Sequence, residues 1–195
     1  MTDVVSVVTS TGKMVCTLLD DWRVNRILDK AESAGISRDD LMKTHHRIAF
    51  VMRVQRAAEV CSSQEVIDYL ADVMIGGFKS EEVDLNPDFS QMAVTALSST
   101  TKTELNVILM MKKHDLFEGD GRADPFHARG AFVTDCCDDL NLNPEMLSAI
   151  QNGLIRTGLV SVEQSAWEGR AASTNQLSTL AEFLFHLVER KHGFV

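Results

Sequence analysis

The residues able to carry chemistry are six histidines, four cysteines and several adjacent acid pairs. His45, His46, His114, His127, His186 and His192 include no H-E-x-x-H. No two of them lie four apart, the spacing that sets two imidazoles on one helix face for a metal. His186 lies one helical turn from Glu182 and from Arg190, which is ordinary surface pairing. Cys16, Cys61, Cys136 and Cys137 fit no zinc spacing, and Cys136-Cys137 lies on an apolar stretch where packing outranks nucleophilic work. We read the cysteines as reduced thiols, mostly buried, in a cytosolic protein. There is no G-x-S-x-G. Gly12-Lys13 lacks the first glycine of a phosphate loop and has Met14 where Ser or Thr is needed. A calcium loop centred on Gly121 fails, because Leu116 and His127 fall at its first and last ligand positions. Asp20-Asp21, Asp39-Asp40, Glu81-Glu82 and Asp138-Asp139 read as solvated surface or as complements to helix dipoles. No catalytic residue, metal ligand or cofactor is expected.

The totals narrow the classes further. The formal net charge is −9 over 195 residues. Residues 1–101 hold 10 basic and 15 acidic side chains, and residues 102–195 hold 9 and 13. Neither half has the excess of cations with which a nucleic-acid binder meets phosphates. The apolar runs, such as Val107 to Met111, are far below the roughly 18 residues of a membrane span. The N-terminus shows no basic region followed by an apolar stretch, so a cytoplasmic location is expected.

The elements that would position any site are mostly helical. Val15, Leu18, Leu19, Trp22, Ile27 and Leu28 mark a first helix from Met14 to Ala34, stopped by Gly35, with Trp22 in its core stripe. Ser37 then caps a helix from about Arg38 to Cys61. Between Asp40 and Glu59 this helix has no acid, but it carries Lys43, His45, His46, Arg47, Arg53 and Arg56. Leu41, Ile48 and Met52 form one apolar face. Lys43, His46, Arg47 and Arg53 fall opposite, with Phe50 and Val54 among them. Two readings stand. Either the helix is covered on both sides by its own chain, or these six residues form a surface for a second subunit or another partner.

Further on, Ser62 or Ser63 caps a helix that Gly76-Gly77 should end, and "KSEEVDLNPDF" reads as an acidic loop. Pro87 to Leu97 and Thr103 to His114 are helical, and Asp115 to Gly130 is a loop. Helices Ala131 to Leu140 and Pro144 to Thr157 follow. Then come strands Leu159 to Gln164 and Thr174 to Leu177, joined by the loop "SAWEGRAAS", and a last helix Ser178 to Lys191. Trp167 in that loop is expected to pack back on its domain.

This order is that of a winged helix. The expected fold is mainly α, with a helical domain over 1–101 and a winged-helix-like domain with a small β-hairpin over 102–195. If that domain reads DNA, Ser148, Gln151, Asn152, Arg156 and Arg170 are the candidate contacts. Arg156 is the only cation of its helix, and Glu145 stands at the end a phosphate would approach.

Three stretches carry a family likeness: "LLDDWRVNRILDKAESAGIS" (Leu18 to Ser37), "AAEVCSSQEVIDYLADVM" (Ala57 to Met74) and "NPDFSQMAVTALSSTTKTEL" (Asn86 to Leu105). Over about residues 15 to 110 the chain resembles the Abi-alpha family, bacterial and phage proteins named for phage abortive infection. The resemblance implies a helical, prophage- or defence-linked protein and brings no site residues with it. The leading expectation is a non-enzymatic protein that binds a protein partner or itself. A DNA-binding transcriptional regulator is the second reading, and an enzyme of unrecognised type is the third.

Overall fold

The computed structural model describes residues 22–61, 63–118, 125–167 and 170–192. The described residues are mainly helical, with one small antiparallel sheet. Contacts divide the chain into two units: one runs through Ser98 and takes up the residues from His186 on, and the other spans Ser99–Phe185.

The first unit holds α1 (Trp22–Ser33), α2 (Arg38–Leu41), α3 (His45–Val60), α4 (Gln64–Lys79), α5 (Glu82–Leu85) and α6 (Pro87–Ser98). A 3-10 turn, Arg190–His192, completes it. At its centre α4 is buried at every position from Leu70 to Phe78. A helix apolar all round must be covered all round, and α1, α3, α6 and the 3-10 turn pack against it.

The sequence expectation that Gly76-Gly77 would end this helix is corrected: α4 continues to Lys79. The glycines serve close approach instead. A Cβ on Gly76 would occupy the place of the Leu187 carbonyl, and one on Gly77 would lie 2.9 Å from Val83 Cγ2. The single helix expected from Arg38 to Cys61 is also two. Ser37 and Asp40 open α2 with a reciprocal capping box, and Met42 is its C-cap. Thr44 then caps α3 by accepting from the Arg47 amide, 3.2 Å away. The acidic loop contains the single-turn helix α5, entered through Glu81 at a φ of 61°.

The second unit holds α7 (Lys102–Lys113), α8 (Pro125–Leu140), α9 (Pro144–Ile155), β1 (Val160–Trp167) and β2 (Arg170–Leu177). The last helix, α10 (Thr179–Glu189), begins here and crosses the boundary between the units. Leu147, Leu154, Leu159, Leu177 and Leu184 are among its buried apolar residues. The strands pair from Val160↔Leu177 to Trp167↔Arg170. They extend into the segment expected as a loop. Small residues such as Ala166, Ala171 and Ala172 give no alternating signal, yet the backbone ladder needs none. Phe117 adds a one-residue parallel bridge to Leu177. Helix α8 starts six residues before the expected Ala131, at Pro125, because proline suits a first helical turn.

The expected division at residue 101 moves to Ser98, and the residues from His186 on group with the first unit. The cause lies in contacts far apart in sequence. Leu187 meets Gly76, and Lys79 Nζ donates to the Lys191 carbonyl at 2.7 Å.

Two glycine substitutions should behave oppositely. Gly76→Ala should cost about 3 kcal/mol in denaturant unfolding, because a backbone carbonyl must move. Gly130→Ala lies inside α8 with no atom near its added Cβ, and should raise stability by about 0.5–1 kcal/mol. Equal effects at the two sites would contradict the packing described.

Candidate functional site

Helix α3 carries five of the six residues singled out as a contact surface, and Lys43 lies just before it. Its first turn is fixed by Asp84 on α5, which accepts from Thr44 Oγ1 at 2.6 Å and from Arg47 Nε at 2.7 Å. Arg47 also donates to the Asp40 carbonyl at 3.3 Å, and its guanidinium stands 5.3 Å from the centre of the Phe78 ring. Phe78 in turn meets Phe50 edge-on, with ring centres 6.0 Å apart. The Arg47 side chain is 11% exposed. It fastens α3 to its neighbours rather than presenting charge to solvent.

The expected surface is therefore corrected at its apolar centre. Phe50 and Val54 are each 1% exposed and belong to the core of their own unit. Helix α3 is covered by α4 and by α6, with Phe50 against Phe78 and Gly77 of α4, so a face that carries cations can be apolar where a neighbouring helix covers it. Arg53 is exposed but reaches α6, with Thr95 Oγ1 and Gln91 Oε1 each 3.4 Å from its guanidinium. Lys43 and His46 remain exposed.

Two large apolar side chains that sequence reasoning passed over are exposed at the same junction. Met42 is 41% exposed and Leu85 is 67% exposed. They lie two residues from Thr44 and one from Asp84, on either side of the bond that joins α3 to α5. The sequence hides them, because Met42 falls inside what reads as one continuous helix and Leu85 inside what reads as an acidic loop.

In the second unit one of the candidate DNA contacts does not reach the surface. Ser148 and Asn152 are exposed on α9. Gln151 is corrected: it is buried, and its Oε1 accepts from Asn175 Nδ2 at 3.3 Å. The exposed Arg156 bonds the Gly153 carbonyl at 3.1 Å, and its guanidinium lies 3.7 Å from Glu104 Oε1. The other oxygen of Glu104 accepts from the Thr101 amide at 2.7 Å as part of the α7 cap. The side chains of Arg170, Trp167 and Trp22 lie outside the described residues, as do Gly12, Lys13 and Cys16.

Cys61, Cys136 and Cys137 are free thiols, the first two buried. Burial, with Cys137 and nearby carboxylates adding to it, pushes the Cys136 thiol up to about 12. A thiol so raised is a poor nucleophile. Among the described residues no three His, Cys, Asp or Glu side chains are placed to hold a metal ion. Compared with protein-family models, curated proteins and solved structures, the chain has no match in any of the three.

Asp84 gives the junction a pH dependence. Burial raises its pKa, but the bonds from Thr44 and Arg47 outweigh that and hold it below the usual carboxylate value. A depressed folded pKa adds stability above the unfolded value of about 3.9, and that stability is lost as pH falls through the lower folded value. Asp84→Asn should therefore flatten the acid limb of a stability-versus-pH curve. Arg47→Met should cost about 2 kcal/mol at neutral pH, since it strips two charged hydrogen bonds. An unchanged acid limb in the Asn variant would count against this account.

Proposed function

We propose that this protein works by binding rather than by catalysis, as a chain that associates with a second copy of itself. The observation that carries the reading is the pair Met42 and Leu85, exposed around the Thr44–Asp84 bond. Large apolar side chains left exposed next to the two residues of one junction fit a contact surface there. Along the chain, Lys43 and His46 follow Met42, and Glu81 and Glu82 precede Leu85. A two-fold interface sets a patch against itself, so cations from one copy face acids from the other. Burying these two apolar side chains from each copy offers several kcal/mol, at about 1.5–3 kcal/mol apiece, against the cost of association. The prophage or phage-defence setting rests on the Abi-alpha resemblance alone.

We read the second unit as winged-helix-like in shape. Its order, α7, the Phe117 bridge, α8, α9, β1, β2 and α10, supports that. A transcriptional regulator remains the second reading, favoured by that order. Its weak point is charge: Gln151 is turned inward, and Arg156 stands beside Glu104.

Light scattering on the eluted protein should give a solution mass above the 21.6 kDa of one chain. Met42→Ser with Leu85→Ser should return it to one chain without lowering the melting temperature. A wild-type monomer at high micromolar concentration would end the self-association reading.

Titration of labelled duplex should give binding weaker than about 10⁻⁴ M at physiological salt. Tight binding with a steep salt slope, abolished by Arg156→Ala, would promote the regulator instead.

A further inference from the structure

The first unit contains a solvent-facing cavity of about 450 Å³, unrelated to the Met42–Leu85 surface. Lys30, Ser33, Asp72, Ile75, Lys79 and Lys191 line it. Its volume lies within the range of small-molecule sites. Asp72 is buried in α4, and each of its oxygens faces a lysine. Lys191 Nζ donates to Oδ2 at 2.9 Å. Lys30 Nζ stands 2.8 Å from Oδ1 as an ion pair outside hydrogen-bond alignment, and donates to the Asp68 carbonyl at 3.1 Å. Lys79 Nζ donates to the Lys191 carbonyl, a neutral acceptor.

The charges do not balance. Three ammonium groups line the cavity with one carboxylate. Lys30 and Lys79 lie in the last turns of α1 and α4, so part of their charge offsets the partial negative charge of those helix ends. The remainder faces the cavity. An ammonium has three donors. The Lys79 and Lys191 bonds described use one each, which leaves donors for a ligand. Asp72 serves as the brace that holds Lys30 and Lys191 at the rim.

We propose that this cavity binds a small phosphate-bearing anion, held chiefly by Lys79 and Lys191 and positioned through Asp72. Lysine suits such a ligand as a point charge with rotatable donors.

Inorganic pyrophosphate is the probe. Calorimetric titration into the full chain should show saturable binding at constant ionic strength, and pyrophosphate should raise the melting temperature where sodium chloride of equal ionic strength does not. Lys79→Gln should weaken binding at least about tenfold, the scale of one charged hydrogen bond. Lys79→Arg, which keeps the charge and guards against a folding defect, should still bind. Lys102→Gln, in the other unit, should match the wild type. No saturable binding, or equal affinity in Lys79→Gln and the wild type, would overturn the proposal. So would a thermal shift that sodium chloride reproduces.

Discussion

The first unit depends on one constraint: every residue of α4 from Leu70 to Phe78 is buried. Such a helix can exist only if other helices enclose it, and the enclosure must meet its one buried charge. A carboxylate out of water costs several kcal/mol unless paired. Asp72 is answered by Lys30 from α1 and Lys191 from the final turn. The same demand explains why residues from His186 on group with a unit that otherwise ends at Ser98. The contact at Gly76 serves the same end, since only a residue without Cβ lets the Leu187 carbonyl come so close to α4.

A second polar fastening joins α3 to α5. Arg47 meets a carboxylate, a carbonyl and an aromatic ring at once. Guanidinium suits this because its planar fork donates in several directions while its face lies on a ring. The bond between Thr44 and Asp84 explains the break between α2 and α3, since it occupies the residue that caps the new helix. Where the chain turns there, Met42 and Leu85 are left outside the core. The surface proposed for self-association is thus a by-product of the junction that closes the unit.

In the second unit, cap and charge are shared in the same economical way. Glu104 completes the α7 capping box and lies near Arg156 beyond the end of α9. The bond from Asn175 turns Gln151 inward and joins α9 to β2. Fold and function are separable, so the order of a unit's elements does not by itself bring a DNA-reading surface.

The mainly helical fold, the hairpin before the last helix, the cap at Ser37, the cap at Ser63 as one of two candidates, and the acidic balance were legible in the sequence. Each depends on near neighbours along the chain or on simple totals. What covers each face was not legible. Periodicity says that Phe50 and Val54 share a side with Lys43 and Arg47, but not that neighbouring helices cover it. Gly76-Gly77 reads as a stop by local preference, and only Leu187, more than a hundred residues away, shows it to be a point of close approach. Asp72 looks like an ordinary surface acid, and the two lysines that answer it come from opposite ends of the chain. Tertiary packing decided these points because burial and charge pairing depend on distance in space, which sequence separation does not encode.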